Sequence, residues 1–156
     1  MKIRKMKSGD LELVKNIAGS TGSEPDEIKK VLKNDEIFVV ESDNKFVGFI
    51  SLRKKGSIFE ITELAVAPQF QNEGFGGELL TYARELAKLR GAKGLWVRTS
   101  NDNIPALTLY QKFGFKITDV KLGVLIKHHG REILGWGGIP VRDEIMLKLK
   151  FDNVKQ

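Results

Sequence analysis

The chain of 156 residues has the size of a single domain, and its 41% of hydrophobic residues suffices for a substantial core. It has no cysteine, no apolar run long enough to span a membrane and no signal-peptide pattern, which excludes disulfides and a cysteine nucleophile, so we expect one cytoplasmic domain covering residues 1–156. The net charge of +6 would attract an anion, but the lysines are spread along the chain and single out neither nucleic acid nor a membrane.

The first half of the sequence predicts four strands and two helices. The strands are residues 2–6, 37–40, 46–52 and 58–66. After Ser8 and Asp10, either of which is placed to cap a helix, apolar residues recur at i,i+4. A second helix begins at Pro25 and ends near Asn34, before the second strand. Pro68 ends the fourth strand, because proline has no amide hydrogen to donate to a sheet.

The second half predicts two further helices and three strands. Apolar residues from Leu79 to Ala87 mark one face of a helix that Gly91 terminates. Asn103 opens another helix, which ends at Gly114. The strands are residues 95–99, 115–120 and 144–149. This order of elements indicates an α/β fold of the α+β type, in which helices cover both faces of a mixed sheet.

A glycine-rich turn at residues 71–77 follows the fourth strand and opens a helix. The first amides of a helix have no acceptor within the helix, and glycines let an anion approach the backbone closely, so a diphosphate would fit here. The turn lacks the Gly-Lys-Ser/Thr of a P-loop, and residues 74–79 lack the last glycine of a dinucleotide fingerprint. ATP and NAD are therefore disfavoured. Taken alone, the glycines are equally consistent with a tight turn that binds nothing.

Two segments together resemble the GNAT (Gcn5-related N-acetyltransferase) family. The first contains Gln71, Gly74 and Gly76, which fit the pattern Q/R-x-x-G-x-G/A after a strand that ends in a V-x-P-like sequence. The second is residues 103–115, which fit N-x-x-A-x-x-L-Y-x-x-x-G-F at every fixed position. The resemblance implies a mostly antiparallel sheet of about seven strands. It also implies an N-acetyltransferase that uses acetyl-CoA as co-substrate and no metal.

The resemblance further implies that acetyl-CoA lies where the strands that end at Val66 and Thr99 diverge. Family members commonly carry Arg or Lys inside the phosphate turn, where this chain has no basic residue, so we expect Lys112, Lys88 or Arg90 to supply the missing charge. Without the resemblance, Asn103 would be a plain helix cap and Tyr110 a core aromatic. The cofactor-binding residues expected from the resemblance are Leu64, Ala65, Val66, Gln71, Asn72, Glu73, Gly74, Phe75, Gly76, Gly77, Asn103, Ala106 and Tyr110.

Tyr110 and one of two glutamates are the candidate catalytic residues. The resemblance places Tyr110 near the CoA sulfur, where a phenol that is protonated at neutral pH can give its proton to the departing thiolate. An ammonium must lose a proton before it attacks, and Glu60 and Glu63 are the candidate bases. Strand alternation sends the two to opposite faces. Glu60 is preferred, because it lies where several family members carry a catalytic residue, although a salt-bridged structural glutamate is an equally good explanation.

The segment of residues 121–140 has no clear prediction beyond an irregular loop or bent hairpin. It contains the adjacent His128 and His129, but no further histidine or cysteine completes a zinc site. In the resembling family this region borders the acceptor site or a homodimer interface, and a loop that packs on itself is the alternative. The acceptor is a small-molecule or protein amine that the sequence does not identify. A non-catalytic acyl-CoA-binding domain is the alternative function, and nucleic acid is not an expected partner.

Overall fold

The computed structural model describes residues 1–152, in which helices pack against a central sheet. The strands are β1 (Lys2–Lys5), β2 (Glu36–Ser42), β3 (Lys45–Lys55), β4 (Ile58–Val66), β5 (Gly94–Ser100), β6 (Lys116–Lys121), β7 (Ile133–Leu134), β8 (Pro140–Val141) and β9 (Glu144–Lys150). The helices are α1 (Leu11–Ser20), α2 (Pro25–Asn34), α3 (Phe75–Leu89), α4 (Ile104–Phe113) and α5 (Val124–His129).

Seven of the strands form one sheet, in the order β1-β2-β3-β4-β5-β9-β6, and only β4 and β5 are parallel neighbours. The α+β architecture and the mostly antiparallel sheet are as predicted. No helix in this part of the chain has the length and apolar character that a membrane crossing requires.

Two apolar layers hold the helices against the sheet. Helices α1 and α2 cover one face, and α3 and α4 cover the other, each through side chains three or four residues apart, as an amphipathic helix requires. The first layer includes Val14, Ile17, Ile28, Val31 and Phe49, and the second includes Phe59, Ile61, Leu79, Ala83 and Tyr110. Glu60 and Ser51 are buried within this apolar sheet, so their polar atoms call for an explanation.

Strands β4 and β5 pair over only part of their length. Residues Phe59, Glu60 and Ile61 of β4 lie beside Leu95, Trp96 and Val97 of β5. Residues 63–66 of β4 continue to pair with β3 but have no partner on β5, so the two parallel strands diverge toward their carboxyl ends. Backbone groups on that edge of β4 are therefore open to a ligand, because no neighbouring strand satisfies them.

Strand β4 contains a bulge at Thr62. Glu60 lies opposite Arg53 of β3, whereas Glu63 lies opposite Ser51, so β4 has one more residue than β3 in this stretch. Directly opposite residues face the same side of a sheet, and Arg53 and Ser51 are two residues apart. Both glutamates consequently face the side covered by α1 and α2. The prediction that they point to opposite faces is wrong, because it assumed an uninterrupted alternation.

Residues 122–143, between β6 and β9, are held against the start of α4. The Asn101 side chain donates to the Pro140 carbonyl at 3.0 Å and accepts from the amides of Arg142 and Asp143 at 2.9 and 3.0 Å. The buried Asp102 accepts from the Trp136 amide at 3.0 Å. The hairpin in the sequence-based expectation is present as β7 and β8, but helix α5 was not predicted.

Candidate functional site

The glycine-rich turn presents free backbone amides at the start of α3. Gly74 takes a left-handed conformation with φ of 90° and forms the N-cap, and no side chain caps the helix. The first bond within the helix runs from the Glu78 amide to the Gly74 carbonyl, at 3.1 Å. The three amides before it, residues 75–77, therefore point out of the helix end, where the macrodipole favours an anion. Asn72 and Glu73 are exposed, so the Glu73 charge is screened by solvent.

Two residues of this turn also have structural roles. The Gln71 side chain donates a hydrogen bond to the Val66 carbonyl at 3.0 Å, which ties the turn to the end of β4. A Cβ atom at Gly76 would lie 3.0 Å from Leu109 of α4, so this glycine permits close packing of α3 and α4. A Cβ atom at Gly77 would have open space around it. Gly77 is therefore the glycine of the turn at which a side chain can be added without disturbing the core.

Two basic residues that were expected to compensate for the absence of Arg and Lys from the turn lie elsewhere. Lys88 and Arg90 are at the far end of α3, about 20 Å from its first turn at 1.5 Å per residue. Arg90 forms an ion pair with Glu36, and the Lys88 ammonium lies 5.5 Å from the centre of the Phe151 ring. The expectation that these two supply charge to the turn is wrong, because the helix length separates them from it.

Helix α4 brings Asn103 and Tyr110 to the same side of the sheet as α3. Asn103 caps α4 by accepting a hydrogen bond from the Ala106 amide at 3.2 Å. The Tyr110 ring packs edge-on against Phe115, with centroids 5.3 Å apart, and only 5% of the residue is exposed. Burial raises the Tyr110 pKa, and the charge of Glu63 raises it further. The phenol therefore holds its proton at neutral pH, as a general acid must.

The β4 residues of the expected cofactor site divide between the two faces. Leu64 and Val66 pack against the layer beneath α3 and α4, whereas the Ala65 side chain is buried beneath α1 and α2. Ala65 can therefore offer a ligand only its backbone. In a strand without a bulge, Leu64 and Val66 would face the same side of the sheet as Glu60. Because of the bulge, they face the opposite side from Glu60.

Glu63 is a half-buried carboxylate with a single hydrogen bond among the described residues. The Ser23 hydroxyl donates to it at 2.9 Å. Burial raises the Glu63 pKa to about 7, and the charge of Glu27 adds to this, while the Ser23 hydrogen bond acts in the opposite direction. A carboxylate that gains and loses its proton near neutral pH has the property that a general base needs.

Glu60 is in a different environment. It is 2% exposed, and its carboxylate lies 3.2 Å from the Arg98 guanidinium and 3.9 Å from the Lys55 ammonium. Removing one member of a buried ion pair is costly, so this arrangement is typical of a structural carboxylate. The contacts thus favour Glu63 over Glu60 as the base, in the opposite order to the sequence-based preference.

The surroundings of Glu63 include residues that sequence reasoning missed. Ser23 precedes Glu24, the N-cap of α2, and its hydroxyl donates a hydrogen bond to Glu63. Beside Ser23, Glu24 lies 3.5 Å from the imidazole of His129 in α5, which brings residues 122–143 over to the start of α2. No local pattern could have revealed these contacts, because the groups are about 40 or more residues apart in the chain.

Comparison with known proteins agrees with this geometry. Residues 12–115 match the model of the acetyltransferase (GNAT) family. The uncharacterized N-acetyltransferase YvbK of Bacillus subtilis is 31% identical over 125 residues, which cover 80% of each chain. A Bacillus subtilis acetyltransferase solved in complex with CoA has 27% identity and a TM-score of 0.88, over 96% of this chain and 98% of that one. A GNAT family acetyltransferase from Elizabethkingia anophelis, solved with acetyl-CoA bound, has 28% identity and a TM-score of 0.83, over 96% and 97% of the two chains.

Proposed function

Because this chain belongs to the GNAT family of acetyltransferases, we propose that it is a single catalytic domain that transfers the acetyl group of acetyl-CoA directly to the nitrogen of an amine. Both substrates are bound together during the transfer. The observation that carries the proposal is the gap between β4 and β5, which has free helix amides at one end and both Tyr110 and Glu63 along β4 and α4. Two similar structures contain CoA or acetyl-CoA, which supports the same choice of co-substrate.

The residues beside the gap fit the parts of acetyl-CoA. The amides of residues 75–77 would hold the diphosphate, with Gly74 providing the left-handed turn before them. The unpaired edge of β4 from Thr62 to Val66 offers backbone donors and acceptors to the amides of the pantetheine arm. Asn103 and Ala106, at the start of α4, would border the same arm. Binding would rely mostly on backbone groups, which explains how the turn can lack a basic side chain.

The two titratable side chains divide the proton transfers. Glu63 would take a proton from the ammonium of the acceptor, directly or through a water molecule, while Ser23 holds the carboxylate in place. The freed nitrogen forms a bond to the acetyl carbon as the bond from that carbon to sulfur breaks. Tyr110 would give its proton to the departing sulfur, and the acylated nitrogen would lose its remaining extra proton, which restores the Tyr110 phenol directly or through water and leaves free CoA and an N-acetylated product.

Thermal unfolding with acetyl-CoA tests cofactor use without knowledge of the acceptor. A ligand that binds only the folded state raises the unfolding midpoint as its concentration rises. We expect acetyl-CoA to do so for the unmodified protein, and Gly77→Glu to weaken the effect strongly by placing a negative charge beside the diphosphate. A glutamate at the third position of a helix is favourable for the helix itself, so this variant should fold.

Gly77→Gln is the matched control, since it adds a side chain of the same size without the charge. It should keep most of the acetyl-CoA shift if charge repulsion is the cause. An unmodified protein whose midpoint does not move in millimolar acetyl-CoA would contradict the proposal. Release of CoA in the presence of a panel of amines then tests the transfer step itself.

A further inference from the structure

A chain of buried hydrogen bonds holds the bulge of β4. Thr62 is the extra residue of this bulge and has no opposite residue on β3. Its hydroxyl lies 2.5 Å from the carboxylate of Asp35 and 2.6 Å from the hydroxyl of Ser51. Asp35 is the C-cap of α2 and its side chain has no exposed surface, and Ser51 on β3 is fully buried. The bulge is therefore connected by side chains to both α2 and β3.

The direction of these hydrogen bonds follows from the protons that each group carries. An ionised carboxylate only accepts, so the single hydroxyl proton of Thr62 goes to Asp35, and the Ser51 hydroxyl must donate to Thr62. The other oxygen of Asp35 accepts from the Arg53 guanidinium at 2.5 Å. Both carboxylate oxygens and both hydroxyls consequently have partners, which explains how the polar atoms of Ser51 are buried at little cost.

The shape of the bulge sets the direction of Glu63. In a regular strand Thr62 would lie opposite Ser51, and Glu63 would lie opposite Ile50, in the apolar layer beneath α3 and α4. The bulge instead lets Thr62 and Glu63 both face the side of α1 and α2. The extra residue of a bulge is left out of the ladder of backbone hydrogen bonds, so side-chain contacts are needed to hold it.

We propose that Thr62 is a positioning residue for the proposed base. Its hydroxyl fixes the shape of the bulge and thereby directs the Glu63 carboxylate to the hydroxyl of Ser23, which donates to it at 2.9 Å. This inference rests on the proposed function, in which Glu63 is the base, and it adds a side chain that acts only through Glu63. Leu64 and Val66 pack beneath α3 and α4 in the same register, so the strand itself should survive the loss of the hydroxyl.

Carbon NMR of the side-chain carboxyl groups tests the position of Glu63 without an acceptor. Burial raises the Glu63 pKa to about 7, so one glutamate signal should titrate near that pH and be absent in Glu63→Gln. Thr62→Val removes the hydroxyl but keeps a branched side chain. We expect it to lower the inflection by about one pH unit or more, because a carboxylate released from its position gains contact with water. Thr62→Ser keeps the hydroxyl and should keep the inflection of the unmodified protein.

Thr118→Val is the matched control. Thr118 is the extra residue of the bulge in β6, and its hydroxyl donates to a carbonyl of β9, so the same chemical change is made at a bulge that does not precede Glu63. The inflection of Glu63 should stay in place. The other ionisable groups that act on Glu63 are Glu27 and Tyr110, and within residues 1–152 neither hydrogen-bonds to the side chains that hold the β4 bulge, so Thr62→Val leaves both unchanged.

Ser51→Ala is a milder variant that keeps the test decisive if Thr62→Val does not fold. It removes the donor to Thr62 but leaves the bond from Thr62 to Asp35 in place. The Glu63 inflection should move in the same direction by a smaller amount. An inflection that stays at its original pH in both Thr62→Val and Ser51→Ala would overturn the inference.

A double-mutant cycle separates positioning from general support of the fold. With butylamine as the probe acceptor, Thr62→Val should lower kcat at neutral pH by about tenfold, as expected for a displaced catalytic group. In the Glu63→Gln background the same substitution should have almost no further effect, because its target is already gone. Losses that multiply in the double variant would show that Thr62 supports the fold without acting through Glu63.

The inference and the proposed function fail in different ways. An unmoved Glu63 inflection in the hydroxyl variants, or multiplying losses in the cycle, overturns the role of Thr62 and leaves acetyl transfer standing. A Glu63→Gln variant that transfers at the full rate overturns the base and with it the inference. If butylamine is not acetylated, the NMR titration alone decides the role of Thr62.

Discussion

The two sides of the β4–β5 gap are built in different ways. On the cofactor side, the proposed ligands come from two short stretches, residues 71–77 and 103–110, and most are backbone groups. On the acceptor side, side chains from α2, β4 and α5 meet although they are distant in sequence. Backbone recognition requires glycines and caps at fixed spacing and therefore leaves a pattern in the sequence, whereas recognition by assembled side chains does not.

The comparison is tested most severely at Tyr110, the last residue of the cofactor-side stretch 103–110. Tyr110→Phe removes only the hydroxyl, so acetyl-CoA affinity should be kept while the transfer rate falls by about 10²–10⁴-fold, the usual contribution of a general acid. Single-turnover measurements are required, because slow product release would mask the loss. A variant with an unchanged single-turnover rate would show that Tyr110 only fills the core.

The sequence predicted nearly all of the fold, and its strand alternation failed at β4; the cofactor-site residues that it suggested stay a prediction. Hydrophobic periodicity and the caps Asn103 and Gly114 were enough to place helices α1 to α4 and the seven strands of the main sheet. The bulge at Thr62 was not predictable, because it arises from the register between β3 and β4 and has no local pattern. A reading of the sequence that does not include the bulge cannot assign Glu60 and Glu63 to the same face of the sheet. The environments of the two carboxylates were also not predictable, because Glu60 contacts Arg98 and Glu63 contacts Ser23, which are distant in the sequence.

Glu63→Gln sharpens the comparison on the acceptor side. In the proposed mechanism the enzyme acts through ionised Glu63, whose pKa burial raises to about 7, so kcat/KM should rise with pH through that value. In the variant this rise should vanish, and at neutral pH we expect a loss of about 10²-fold that shrinks as the acceptor amine deprotonates in solution.

Glu60→Gln serves as the comparison variant for that experiment. It disrupts the ion pair with Arg98 and should lower stability, because a buried carboxylate is lost, but the pH dependence of the remaining activity should stay as in the unmodified enzyme. The opposite outcome, with the inflection near pH 7 lost in Glu60→Gln and kept in Glu63→Gln, would restore Glu60 as the base.

Asn101→Ala addresses residues 122–143, which reach the acceptor side from the start of α4. The substitution removes three side-chain hydrogen bonds to Pro140, Arg142 and Asp143. We expect the KM for the acceptor to rise by about three- to tenfold, in line with roughly 1 kcal/mol for a lost hydrogen bond, while acetyl-CoA affinity changes little. Equal losses for both substrates would show that Asn101 supports the whole gap instead of the acceptor side alone.

The last expected effect of Glu63→Gln is on stability, and it has the opposite sign to the effect of this substitution on activity. The folded protein holds the Glu63 proton more tightly than the unfolded chain, since the pKa is raised from 4.5 to about 7. Between these values the folded state binds more protons, so stability falls as pH rises through the window and stays lower above it. Glutamine cannot ionise, so Glu63→Gln should be more stable than the unmodified protein at pH 8, by about 1–3 kcal/mol, and nearly equal to it at pH 4.

Unfolding midpoints of both proteins, measured at both pH values, give this difference in stability. The contributions of titratable groups that the two proteins share, such as Asp10, cancel in the difference. A stability difference that does not change between pH 4 and pH 8 would mean that burial does not raise the pKa of Glu63 in the folded protein.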